Sequence, residues 1–180
     1  MRCAVYKAWK LNGFATLVST EGSSTRFIPF DGKPKGNKWT PNPMYVPYPD
    51  RKPWDIFDIY GPSALVLTEH ALEVLRPVFD AGLYELLPLI HDGTKYTVVN
   101  ILEVTDCLDR DKCEFDSWGI VQKYAFIPER ITHSLFKIRE EVTGSFLVAS
   151  DTARPEWGFK HLVEKHNLRG LEFRLRWEGN

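Results

Sequence analysis

A chain of 180 residues with 43% apolar and 26% charged side chains is long enough to bury a core and too apolar to be disordered. A formal charge of −1 excludes a global field for nucleic acid or an anionic membrane, and three cysteines are too few for a disulfide scaffold. The opening "MRCAVYKAWKLNGF" holds no signal-peptide core and no apolar run reaches about 18 residues, so a soluble cytoplasmic protein is expected.

Residues 2–9 and 14–19 read as short strands. Seven of the twelve prolines then fall between Pro29 and Pro53. Each removes an amide donor and fixes its own φ, so neither a helix nor a central strand is expected there. The stretch reads as a long ordered loop pinned by Trp39, Tyr45, Tyr48 and Trp54. Residues 31–54 carry five basic and two acidic side chains, a local charge of +3.

The pattern changes in "LTEHALEVLRPVFDAG". Ala71, Val74, Leu75 and Val78 repeat at helical spacing, Thr68 is placed to cap the first turn, and Pro77 predicts a kink or an end nearby, with Gly82 as a stop. In "LYELLPLIHDGTKYTVVNILEV" the Asp92-Gly93 dipeptide predicts a tight hairpin. Its second strand, Tyr96 to Val104, is apolar on both alternations apart from Asn100 and Glu103, as in a strand covered on both faces.

A charged loop, "TDCLDRDKCEFDS", follows, and "WGIVQKYAFI", "SLFKI" and "SFLVAS" read as three further strands. In the closing unit Pro155 suits a helix's first turn, Phe159, Leu162 and Val163 form an apolar stripe, and Asn167 and Gly170 stop it. Leu171, Phe173, Leu175 and Trp177 then alternate with Glu172, Arg174, Arg176 and Glu178, which predicts an edge or near-edge strand with one charged face. The sum is an α+β fold: a largely antiparallel sheet, two main helices and a long proline-rich N-terminal loop. Residues 1–60 supply the first strands and the loop, and 61–180 the α+β domain, together one unit.

Candidate catalytic sites fail on spacing. His161 and His166 flank Glu164 but stand five residues apart, turned by about 140° on the helical wheel, and do not converge on one ion. Cys107 and Cys113 have five residues between them and no second ligand pair, unlike a zinc or redox site. A cysteine nucleophile would need His91 or His133 brought to it by folding. The acids of 109–116 lack the mid-loop glycine of a calcium loop. No phosphate-binding glycine loop, G-x-S-x-G or H-E-x-x-H is present. No catalytic, cofactor-binding or metal residue is therefore assigned.

Two surfaces remain. Asp106, Asp109, Asp111, Glu114 and Asp116 outnumber Arg110 and Lys112, giving residues 106–116 a charge of −3 suited to a basic partner. The loop around Trp39, Tyr45 and Tyr48 offers aromatic anchors for an extended peptide, or for single-stranded nucleic acid.

From about Pro62 to Trp177, the order of these segments, with "VTDCLD" after a central strand and a closing helix followed by "LRGLEFRLRW", resembles the MXAN-type immunity-protein domain family of bacterial polymorphic toxin systems, formerly a family of unknown function. The resemblance implies a cytoplasmic bacterial protein that neutralises a cognate toxin by direct binding, in interbacterial competition through contact-dependent or type VI secretion. It implies no enzymatic activity and no cofactor. The partner is a toxin protein, with no membrane or direct nucleic-acid contact, and a homodimer is left open. A cysteine- or histidine-dependent hydrolase, or a small-ligand or nucleic-acid binding module, is the alternative. Of the two surfaces, the acidic loop is preferred for the toxin.

Overall fold

The structure, a computed structural model, describes residues 3–15, 17–19, 30–41, 44–58, 64–79, 82–151 and 158–179. In chain order these hold β1 (Cys3–Lys10), β2 (Val18–Ser19), β3 (Met44–Tyr45), β4 (Ile56–Asp58), β5 (Leu65–Thr68) and α1 (Glu69–Leu75). Then come β6 (Tyr84–His91), β7 (Thr94–Ile101), β8 (Glu114–Phe115), β9 (Val121–Lys123), β10 (Leu135–Phe136), β11 (Leu147–Asp151), α2 (Phe159–Lys165) and β12 (Leu171–Gly179). A first antiparallel sheet has the order β10-β11-β1-β12 and a second the order β4-β5-β7-β6. The fold is α+β, with two α-helices among the described residues. None of them is long and apolar enough to cross a membrane.

Local rules explain the second sheet. Asp92 (φ 49) and Gly93 (φ 73) both take the positive φ of a type I′ turn, so β6 and β7 pair from His91↔Thr94 to Tyr84↔Ile101. β7 lies between β5 and β6, and its Val98, Val99, Asn100 and Ile101 are all buried. The Thr68 hydroxyl accepts a bond from Ala71 N at 3.2 Å and starts α1. Pro77 converts the next turn to a 3₁₀ helix, Arg76–Val78, so the α-helix stops at Leu75. Thr68→Ala is expected to cost about 1 kcal/mol and to lower the thermal midpoint by about 3 °C, read by circular dichroism. An unchanged midpoint would mean the cap contributes nothing.

Three clusters hold the layers together. In the shared core, Leu65, Leu67, Val99 and Ile101 of the second sheet meet Ala8, Leu135, Val148 and Leu171 of the first, with Ala71, Leu75, Phe159 and Val163 from the helices. α1 packs on β5 and β7, α2 on β11, and the helices touch each other. The far face of the second sheet is covered by Phe30, Ala15, Leu17, Trp54 and Trp39. The far face of the first is covered by Cys107, Leu108, Val121, Tyr124, Phe126 and Ile131. The sheets are also joined through their backbones. Thr105 and Lys137 amides donate to Lys137 and Glu103 carbonyls at 2.8 Å, and Asp55 and Ile56 amides both donate to Arg169 O at 2.9 Å. Gly170 (φ +122) lies so close to that second joint that a Cβ there would stand 1.9 Å from Ile56 O.

β1 is an interior strand, between β11 and β12, so the first residues of the chain pair with its last. The 60/61 boundary and Pro155 lie outside the described residues, as does part of the 29–53 stretch, Pro29 and Pro43 included. "WGIVQKYAFI" forms a strand only over Val121–Lys123, and "SLFKI" only over Leu135–Phe136. The closing strand departs from simple alternation. A register shift between Val5 and Tyr6 leaves Arg176 as the extra residue of a bulge. Phe173 therefore faces the shared core, while Trp177 crosses to the other face and meets Phe126 edge-on at 5.6 Å.

Candidate functional site

Residues 103–131 run over the far face of the first sheet and include a hairpin made by β8 and β9. Its base is buried: Val121, Tyr124 and Phe126 are at most 8% exposed, and the last two rings stack at 5.7 Å. Below them the Glu141 carboxylate accepts bonds from Lys7 Nζ (2.7 Å), Ser145 Oγ (2.6 Å) and the Tyr124 hydroxyl. Burial pushes the Glu141 carboxyl up, but these three donors outweigh it and hold the group below its ordinary range. Burial and the Glu141 charge together push the Tyr124 phenol up, which keeps its proton in this bond. The node ties β1 and the start of β11 to the hairpin's base.

At the tip, Asp116 organises the turn. Its Oδ1 accepts from Trp118 N and Ile120 N at 2.9 Å, and its Oδ2 from Gln122 Nε2 at 3.1 Å. The backbone closes with Gly119 N to Asp116 O at 3.1 Å. Trp118 is left 84% exposed, with Ile120 at 49% and Phe115 at 38%. Three large apolar side chains on one short hairpin make an unusual amount of apolar surface to leave in water.

The acidic candidates surround this tip in sequence, but folding spends most of them. Lys112 Nζ binds Asp109 at 2.6 Å, Lys123 Nζ binds Glu114 at 2.9 Å, and Arg130 Nη1 lies 3.9 Å from Asp106 Oδ2. Arg110 is drawn to Glu140. The charge of −3 counted along 106–116 is thus partly offset by Lys123 and Arg130, both from outside the stretch. Asp111 is exposed and has no ion-pair partner among the described residues.

The second candidate patch divides. Trp39 Nε1 donates to Pro88 O at 2.8 Å and its ring stands 6.0 Å from Phe30, so this indole fastens residues 30–39 to β6. Lys35 and Gly36 amides add bonds to Glu85 at 2.8 and 2.6 Å. Tyr45 and Tyr48 stay 44% and 54% exposed, the Arg51 guanidinium lying 4.1 Å from the Tyr48 ring.

The cysteines are built as packing. Burial, assisted by the Asp106 charge, pushes the Cys107 thiol up to about 12, and burial pushes Cys3 up to about 11. Cys113 Sγ bonds to Ala125 O at 3.4 Å and accepts from Ala125 N at 3.3 Å. His133 Nδ1 lies 3.0 Å from Thr132 Oγ1 and 3.6 Å from Glu103. Among the described residues no three His, Cys, Asp or Glu side chains converge as metal ligands. A shallow open cleft between α2 and the start of β12 is bordered by Leu11, Phe14, Asn167, Arg169 and Phe173. Its Arg169 is engaged with Asp55 at 2.9 Å.

A scan against family models and searches of curated proteins and of solved structures found nothing that matches the chain. The site's own chemistry is a hairpin braced by Asp116 with an exposed indole, and an acidic side chain beside it in sequence, Asp111, without an ion-pair partner among the described residues.

Sequence reasoning passed over Trp118. The signal was present in "DSWG": Asp and Gly at the ends of a four-residue turn leave the tryptophan between them with no interior to enter.

Proposed function

We propose that this protein is an immunity protein that neutralises a cognate bacterial toxin by direct binding, without catalysis or a cofactor, in the cytoplasm of the cell it protects. The observation that carries the proposal is the exposed Trp118 on a hairpin fixed by Asp116 and by its buried base. The resemblance of "VTDCLD" and "LRGLEFRLRW" to the immunity family supports it. An inhibitor of this kind needs a preorganised patch of about 800 Å² with an aromatic anchor at its centre. Rim charges then set the rate of encounter and the choice of partner. Trp118, Phe115 and Ile120 supply the anchor; Asp111, without an ion-pair partner among the described residues, and the ion-paired Asp106, Asp109 and Glu114 supply the acidic rim. A toxin whose own substrate cleft is basic, such as a nuclease, fits that rim. The described residues Phe30, Trp39, Met44 and Val46 of the proline-rich stretch pack on the second sheet, which supports reading residues 1–60 and 61–180 as one unit.

Trp118→Ala is expected to weaken toxin binding about 100-fold. The paired reversal Asp109→Lys and Asp111→Lys is expected to weaken toxin binding, through slower encounter with a basic partner. Trp118→Ala should keep the wild-type melting temperature, because Trp118 is 84% exposed and lies outside the buried clusters, and the paired reversal should lose no more than the surface Asp109–Lys112 pair. The check is a calorimetric titration with the purified toxin, with melting curves alongside. Affinity unchanged by the loss of Trp118 would remove the hairpin from the interface.

A further inference from the structure

We propose that β12 is a self-recognition edge: two copies of the chain pair antiparallel through Leu171–Leu175, with Phe173 opposite Phe173, and join their first sheets into one. β12 is the outermost strand of its sheet, nine residues long and without proline. Among the described residues its only strand partner is β1. Edge strands in water are commonly blunted by a proline, a lysine or a bulge. Here the bulge comes at Arg176, so Leu171–Leu175 remains a regular ladder.

The sequence of that tract is complementary to itself. With Phe173 on the two-fold axis, Glu172 of each copy stands opposite Arg174 of the other, and Leu171 opposite Leu175. Glu172 and Arg174 share one face, while Leu171, Phe173 and Leu175 share the other. Neighbouring registers are worse. Centring on Arg174 sets arginine against arginine. Centring on Glu172 sets glutamate against glutamate and draws in Gly170, which is already occupied by Ile56.

The isolated chain also presents this edge ready to pair. Arg174 Nε donates to Glu172 at 2.7 Å, and its guanidinium lies 4.8 Å from the Trp9 ring, so both charges are held along the strand. Leu175 and Trp9 are left 52% and 41% exposed there. A ladder this short buries less than a standard interface, so the dimer is expected to dissociate at about micromolar concentration.

The test is sedimentation equilibrium of the full chain over a concentration series, with melting curves as the folding control. Wild type should dimerise reversibly. Glu172→Arg and Arg174→Glu, which set like charges opposite each other, should each raise the dissociation constant about tenfold or more, and the double exchange should restore dimerisation. Amide exchange at β12 should slow as protein concentration rises. A monomer throughout the series would overturn the proposal, as would a dimer indifferent to the single reversals or a double exchange that stays monomeric. Protection of β12 that appears only when toxin is added would also overturn it and assign the edge to that partner.

Discussion

Gly170→Ala is expected to destabilise the protein by about 3 kcal/mol or more, visible as a lower urea midpoint with an unchanged slope. Two independent effects coincide at this residue. Its φ of +122 is one that a side chain disfavours, and the new methyl carbon would sit 1.9 Å from the Ile56 carbonyl oxygen. The obstacle is backbone, so no rotamer relieves it. Relief requires β4 to move away from β12, which stretches the Asp55 and Ile56 amides from Arg169 O and opens the shared core at Ile56, itself wholly buried. Such a loss is a large share of the 5–15 kcal/mol by which domains are usually stable. A midpoint equal to wild type would show that the two sheets are not joined at this point.

Lys137→Met should change the pH dependence of stability in a direction that burial dictates. Lys137 is wholly buried, and its ammonium donates to Phe30 O and to Val142 O, the latter at 2.9 Å. Burial lowers its pKa to about 8; the Asp31 charge opposes that shift and the Lys35 charge adds to it. In the unfolded chain the same amine keeps its proton to about 10.5. Between those two values the unfolded state binds more protons, so the unfolding free energy rises with pH. The cost of the buried charge is therefore present in full below about pH 8 and is relieved as pH approaches 10.5. Methionine carries no proton. The stability of wild type relative to Lys137→Met is accordingly expected to rise by about 3 kcal/mol across that window. Thiols and phenols that titrate in the same range cancel in the difference. A flat difference curve would mean that the ammonium is not desolvated. The position holds three segments together, since Phe30, Val142 and β10 all converge on one side chain.

Sequence revealed what short-range chemistry decides. The Asp92-Gly93 turn, the Thr68 cap, the break at Pro77 and the stop at Asn167 (φ 52) all follow from a residue and its near neighbours. It was silent where the deciding partner is distant. Nothing in "CAVYKAWK" says that β1 will lie between β11 and β12. The bulge at Arg176 depends on register against β1, so strict alternation in β12 misassigned Trp177 to the face of Phe173. The acidic candidates show the same limit. Asp106 and Glu114 read as free charge along the chain, yet Arg130 and Lys123 arrive from 24 and 9 residues away to meet them. Trp39 read both as a pin for its loop and as an anchor for a partner; its indole N–H is taken by Pro88 O, which fits the pin, and the distant acceptor itself was not legible. Exposure of Trp118 was inferable from its turn; its rigid support by Asp116 and by the Tyr124–Glu141 node was not.

The most direct test of the immunity proposal is co-expression of the tagged protein with any neighbouring-gene product that is toxic when expressed alone, followed by affinity capture and mass determination of the complex. A stoichiometric complex that restores growth, and that Trp118→Ala weakens while the fold persists, is the result predicted. A neighbour that remains toxic and never co-purifies with a folded, abundant wild-type protein would contradict it.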